Sequence, residues 1–305
     1  IMRPFVGGGR IAPWTPAASG KEGKRRMRES ILDALSRGEV IVSDGAIGTQ
    51  LQACGIPPGI LSEAWNAERP EVLLGIHRAY LEAGARIATT NTFGGNRIRL
   101  REAGLADRLA ELNRRGVELA REAVGEEAWV GGSLGPTGQL LEPYGPLRRE
   151  EAEDVFAEQA EVLAEAGADL LLIETQHDIE EACLIIRAAK AHANLPVYCT
   201  FAFNARGRTM MGLRPDEAAR RAEEAGADIV GANCGEGPAA IVSALEGMAG
   251  AATVPLAAKS NAGVPQVAGE QTVWDVTPEQ MAAHARRYMD LGARIIGGCC
   301  GSGPE

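Results

Sequence analysis

The 305-residue chain is 45% hydrophobic, 24% charged and only 4% aromatic, the composition of an ordinary globular protein with a full-sized core. Its formal charge of −10 disfavours a protein whose main handle is nucleic-acid phosphate. No apolar run approaches the roughly 18 residues a membrane helix needs. Six cysteines are too few for a disulfide-stapled domain. With no signal peptide, the chain reads as cytoplasmic, its thiols reduced and serving as core, metal or redox groups.

In chain order, residues 1–26 are rich in Gly, Pro and basic residues and show no hydrophobic period. They read as a disordered tail or upstream read-through, with Met27 a plausible start and a single domain over 27–305. Ser30 is placed to cap a short helix over 31–37, closed by Gly38. Strand-forming runs follow at 40–43, 86–90, 128–133, 170–174, 197–203, 228–232, 255–259 and 294–298. Amphipathic stretches of helical length lie between them, among them 71–83, 150–166, 215–225 and 278–291. Alternation of this kind means parallel strands joined by right-handed crossovers. Several strands are apolar throughout, as expected when both faces are covered.

A helix-ending glycine recurs as Ala83-Gly84-Ala85, Ala166-Gly167-Ala168, Ala225-Gly226-Ala227 and Leu291-Gly292-Ala293, each leading into an even-numbered strand. A two-strand unit used four times points to a closed (β/α)₈ TIM barrel, not an open doubly wound sheet. The chain reaches Gly301-Ser302-Gly303-Pro304-Glu305 directly after the eighth strand, so the last helix of the barrel is expected to be missing and the domain truncated at its C-terminus.

In such barrels the working residues sit at the C-terminal ends of the strands. Here nearly all of those ends turn polar and glycine-rich, which the helix-to-strand ends do not. The cysteines sort by the same map. Cys183 falls in a helix and Cys199 inside strand five, both simple core positions, and Cys54 lies in a loop with no partner nearby. Cys234, Cys299 and Cys300 lie at the ends of strands six and eight, facing one rim of the mouth. Successive strand residues point to opposite faces, so Cys299 and Cys300 share the mouth only if the chain has left regular geometry; Gly297, Gly298 and Gly301 allow that. Three converging thiolates require a cation, and Zn²⁺ is the expected ion for sulfur ligands. Three protein ligands leave one position open, where a substrate thiol could be held as thiolate without a separate protein nucleophile. Buried small residues or a vicinal redox disulfide are the alternatives the cysteines leave open.

Seven segments in order carry a resemblance: residues 44–49 (DGAIGT), 90–93 (TNTF), 132–138 (GSLGPTG), 173–175 (IET), 231–234 (GANC), 261–265 (NAGVP) and 297–301 (GGCCG). They resemble the homocysteine S-methyltransferase family, from about Val40 to Glu305. The resemblance implies a (β/α)₈ barrel, a zinc on Cys234, Cys299 and Cys300, and transfer of a methyl group to homocysteine to form methionine. It also implies that Glu174 accepts the substrate ammonium. Asp44 would lie near the same end, with the amides of Gly45 and Ala46 facing the carboxylate. Ser133 and Asn233 are candidate supporting groups, or loop caps.

Segments 44–49, 261–265 and 274–279 look closer to the homocysteine module of cobalamin-dependent enzymes than to S-methylmethionine- or betaine-dependent ones. The chain has no D-x-H-x-x-G cobalamin motif, so methylcobalamin would come from corrinoid- and folate-binding domains or partner proteins. Trp65, Phe93, Tyr144 and Trp274 are placed in loops over the mouth, as an aromatic cage or a contact for such a partner. The readings left beside this one are a non-catalytic zinc- or thiol-binding barrel and a redox barrel.

Overall fold

The computed structural model describes residues 29–57, 59–268 and 271–305. The expected tail over 1–26 and the start at Met27 lie outside these residues.

The chain runs α1 (Ile31–Ser36), β1 (Ile41–Val42), α2 (Ile47–Ala53), α3 (Trp65–Glu68), α4 (Pro70–Glu82), β2 (Ile87–Thr89), α5 (Arg97–Glu102), α6 (Leu109–Val124) and β3 (Trp129–Leu134). Next come α7 (Arg149–Glu165), β4 (Leu170–Gln176), α8 (Ile179–His192), β5 (Val197–Phe201), α9 (Pro215–Glu224), β6 (Ile229–Cys234) and α10 (Pro238–Met248). The last elements are β7 (Leu256–Ser260), β8 (Gln266–Ala268), β9 (Gln271–Val273), α11 (Pro278–Asp290) and β10 (Ala293–Gly298). Among the described residues no helix is long and apolar enough to cross a membrane.

Eight strands form one sheet in the order β1-β10-β7-β6-β5-β4-β3-β2, every pairing parallel. A parallel bridge between Ser43 and Ile87 joins its two edges, supported by Asp44 N–H to the Ile87 carbonyl and Arg86 N–H to the Val42 carbonyl. The sheet therefore closes on itself as the (β/α)₈ barrel expected from the alternation. All eight expected strands are present, with ends moved by one or two residues. The four junction glycines, Gly84, Gly167, Gly226 and Gly292, have φ between 95° and 112°, the left-handed cap that ends each helix. Ser30 accepts from Leu32 N–H at 3.3 Å, as a cap should.

Two local features differ from the expectation. The glycine-rich loop after β1 turns helical at Ile47, and the loop after β7 contains the antiparallel β8–β9 hairpin. Both segments are short and weakly patterned, so tertiary contacts, not local hydrophobic period, decide them.

Strand parity orders the interior. Residues on alternate positions face inward, so Ile87 and Thr89, Leu170, Leu172 and Glu174, Ala257 and Lys259, and Ile295 and Gly297 each share a face. The lower positions form an apolar layer of Ile41, Ile87, Trp129, Leu170, Leu172, Tyr198, Ile229, Ala257 and Ile295, closed below by Ile31, Ala34 and Leu35 of α1. The alternate set, including Val130, Leu171, Ile173, Cys199, Val230 and Ala258, packs outward against the helices in the largest core cluster. The inward face becomes polar only within the last turn of pleat before the strands end.

Candidate metal and substrate site

A cavity of about 270 Å³ opens at the C-terminal ends of the strands. Cys234, Cys299 and Cys300 line it, with Glu174, Ser133 and Lys259 among its other polar walls.

The three cysteine sulfurs lie within 4.8 Å of one another and could hold a metal ion. Cys234 is the last residue of β6, while Cys299 and Cys300 follow β10. The backbone there is pinned from two sides: Cys299 N–H donates to the Ser260 carbonyl at 2.7 Å, and Ala262 N–H donates to the Cys300 carbonyl at 2.9 Å. Gly301 turns at φ 80°, and a Cβ there would collide with Trp274 at 2.2 Å, so the indole packs directly on the cysteine turn.

Packed against one another, the three thiols are all pushed above the ordinary thiol range. Cys299 is pushed up to about 12, first by hydrogen bonding with Cys234 and then by burial. For Cys234 the hydrogen bond with Cys299 pulls downward, but Cys300 and burial outweigh it and bring it to about 11. Cys300 is pulled down by Cys234 and pushed up to about 12 by Cys299 and burial. Thiols that crowd and desolvate one another in this way are a donor set that a soft divalent cation would stabilise.

Thr175 (φ 62°) and Cys234 (φ 59°) are two of three non-glycine residues in the left-handed region among the described residues. Asn233 ties them together. Its Oδ1 accepts from Thr175 N–H and its Nδ2 donates to Thr175 Oγ1, each at 2.8 Å, while Nδ2 also lies 3.8 Å from the Cys299 sulfur. A β-branched residue held at positive φ costs of order 1 kcal/mol and persists only where its surroundings over-determine it.

Comparison with known proteins meets this geometry. A homocysteine S-methyltransferase family model matches residues 41–305. The chain belongs to the homocysteine S-methyltransferase family. It is 34% identical over 292 residues to the methionine synthase of Mycobacterium tuberculosis and 33% identical over 293 residues to that of Mycobacterium leprae. Each match covers 90% of this chain but 24% of the relative, so the chain spans about a quarter of their length. Among solved structures, the metallated form of the homocysteine methyltransferase MmuM from Escherichia coli superposes with a TM-score of 0.75 at 24% identity. That match covers 89% of this chain and 95% of MmuM. The oxidised form of MmuM gives 0.74 at 25% identity, covering 90% and 96%. The family's enzymes are methyltransferases.

The remaining sequence candidates fall into three groups. Glu174 and Ser133 meet directly: Ser133 Oγ donates to Glu174 Oε1 at 2.5 Å, on the cavity wall formed by β3 and β4. Gly45 and Ala46 also line the cavity, but Ala46 N–H donates to the Ser302 carbonyl at 3.1 Å. Gly45 is tightly confined, since a Cβ would lie 2.4 Å from the Ser302 carbonyl oxygen and 2.9 Å from the Tyr80 ring. Asp44 is turned into the barrel and fully engaged. It accepts from Thr89 N–H at 2.6 Å, Thr89 Oγ1 at 2.7 Å, Ser43 Oγ at 3.2 Å and Lys259 Nζ at 3.1 Å.

Of the aromatic residues expected over the mouth, Phe93 lines the cavity, and Trp274 covers the cysteine turn. Tyr144 is 82% exposed and lines a separate cleft. Trp65 does not fall over the mouth. It opens α3 and is buried against Leu51, Leu73 and Ile76, because the preceding residues, 62–64, form a helical turn that carries it into the barrel wall.

Sequence reasoning passed over Lys259. Burial works against its charge, but the carboxylates of Asp44 and Glu174 more than offset that and hold the ammonium above the usual lysine range. The signal was there: Lys259 ends an apolar run, Pro-Leu-Ala-Ala, in the same way Glu174 ends Leu-Leu-Leu-Ile, and a charge in that position needs a partner.

Proposed function

We propose that this barrel transfers a methyl group to the thiol of homocysteine, forming methionine, with zinc held by Cys234, Cys299 and Cys300. The observation that carries the reading is the convergence of the three sulfurs on a small cavity that Glu174 also lines. When bound, zinc would supply the Lewis acidity that keeps a substrate sulfur deprotonated and nucleophilic at neutral pH.

The chain's own groups do the rest. Glu174, oriented by Ser133, accepts the substrate ammonium; no cationic side chain hydrogen-bonds to its carboxylate among the described residues. Asn233 fixes both the Thr175 backbone and the neighbourhood of the Cys299 sulfur. Asp44 belongs to the same amino-acid end, acting through Thr89 and Lys259. The Gly45 and Ala46 backbone sets the edge against which the substrate lies.

The cavity suits a small amino acid and is far below the bulk of a corrinoid, so the methyl donor reaches the thiol from the open side, past Phe93. We favour a methyl-corrinoid presented by another domain or protein and supplied from methyltetrahydrofolate. What supports this donor is the identity to proteins named methionine synthase, of which this chain matches about a quarter. The reduced thiols suit a cytoplasmic setting.

The test is direct. Zinc-loaded protein with homocysteine and methylcobalamin is expected to give methionine, measured by mass spectrometry. Methionine with S-methylmethionine or betaine but none with methylcobalamin would overturn the donor. Zinc uptake without methionine from any of the three would leave a binding barrel in place of an enzyme.

A further inference from the structure

We infer that Lys259 recognises the carboxylate of the thiol amino acid, and so selects α-amino acids over simple thiols. The inference rests on the reading of this cavity as a homocysteine site. Four observations on the cavity floor carry it.

First, Lys259 is the one cationic residue lining the cavity among the described residues. A zwitterion bound between the cysteine cluster and Glu174 has its ammonium answered by Glu174. Its carboxylate has no other formal positive charge to meet.

Second, the ammonium of Lys259 has a donor to spare. It carries three N–H groups. Two are accounted for, by Asp44 Oδ1 and Thr89 Oγ1, each at 3.1 Å. No third protein partner exists among the described residues. Lys259 is 3% exposed, so the remaining donor does not face bulk water.

Third, the position of the charge is preset. Asp44 is itself held by Ser43 Oγ and by the backbone and hydroxyl of Thr89, and its side chain is 0% exposed. A flexible lysine stem is thereby fixed at the junction of β7, β1 and β2 before any ligand arrives. Binding then costs little ordering of the side chain.

Fourth, the amide that could have served instead is partly used up. Ala46 N–H already donates to the Ser302 carbonyl at 3.1 Å. The cavity thus offers a positive charge while one of its two candidate amides is already engaged.

The competing reading is that Lys259 only neutralises Asp44. Binding to zinc-loaded protein separates the two, using calorimetry with homocysteine and with 3-mercaptopropylamine, which is homocysteine without its carboxylate. If Lys259 meets the carboxylate, the wild-type protein binds homocysteine more tightly by about 10- to 100-fold, the size of one charged hydrogen bond. In Lys259→Met the gap closes to within about threefold while 3-mercaptopropylamine affinity and zinc stoichiometry stay unchanged. Because Lys259→Met strands a buried carboxylate, the double variant Lys259→Met with Asp44→Asn removes both charges and is expected to show the same closed gap.

A gap that survives in the folded variants, or an equal loss for both thiols, overturns the inference. So does a wild-type protein that binds the two thiols equally well. A wild-type protein that binds neither thiol defeats the homocysteine reading itself, and the inference with it.

Discussion

The two halves of the barrel interior are built from the same strands and differ by one pleat. On β4, Leu170 and Leu172 belong to the sealed apolar layer, and Glu174, next on the same face, lines the cavity. On β7 the step is from Ala257 to Lys259. Below the step, the layer is built of buried, mostly aliphatic and aromatic side chains. Above it, they hold a charge pair, a strained backbone and three crowded thiols. Strand parity thus lets one scaffold separate the work of closing the barrel from the work of binding, with the helices shielding both.

That separation can be broken or sharpened by substitution. The largest effect is expected at the upper level. Cys299→Ser should lower zinc affinity by more than about 100-fold, since losing a ligand exceeds the cost of losing an outer hydrogen bond. Its urea midpoint without metal should stay close to wild type. Metal analysis and denaturation on the same sample check both halves; zinc retained at one equivalent would break the proposed site.

The mirror-image change is Leu172→Ala, in the lower layer. It removes a fully sheltered side chain and should cost about 3 kcal/mol of stability. Zinc stoichiometry at low temperature should not change. If the metal is lost along with the stability, the two levels are coupled and the comparison fails.

His77 is a buried residue of α4. It is 1% exposed, and neither ring nitrogen has a hydrogen-bond partner among the described residues. Burial pushes its pKa down to about 4, against a smaller upward pull from Asp44. The unfolded chain takes up this proton near pH 6.5 and the folded one near 4, so the unfolded state binds more protons in between. Stability should therefore be intact above pH 6.5 and fall by up to about 3 kcal/mol as the pH drops toward 4. His77→Leu should flatten that part of the stability–pH curve, measured by urea midpoints across the window. A curve as steep as wild type would assign the acid sensitivity elsewhere.

The smallest effect is expected for Asn233→Ala. It removes two 2.8 Å hydrogen bonds to Thr175 and the contact with the Cys299 sulfur without removing a ligand. A loss of about tenfold in zinc affinity, with unchanged stoichiometry, is the outcome a supporting residue predicts. No change at all would make Asn233 a loop cap.

Much of this was legible in the residues alone. Alternating apolar runs and helix-ending glycines are local signals, and they fixed eight strands and the closed topology to within a residue or two. The cysteine trio was legible for the same reason, because strand ends can be counted and a strand end faces the mouth. Glu174 stood out as a charge closing an apolar run.

Other features were decided only in three dimensions. That Ser133 donates to Glu174, that Asn233 bridges Thr175 to Cys299, and that Asp44 is spent on Thr89 and Lys259 are contacts spanning 41 to 215 positions in sequence. Period and composition carry no information on pairings across a barrel. Trp65 shows the same limit in reverse, since its loop-like surroundings gave no sign of the helical turn that buries it. The linear pattern settles which face of each strand looks inward, because parity is local. Which inward groups touch depends on the stagger of closure, and only the closed sheet sets that.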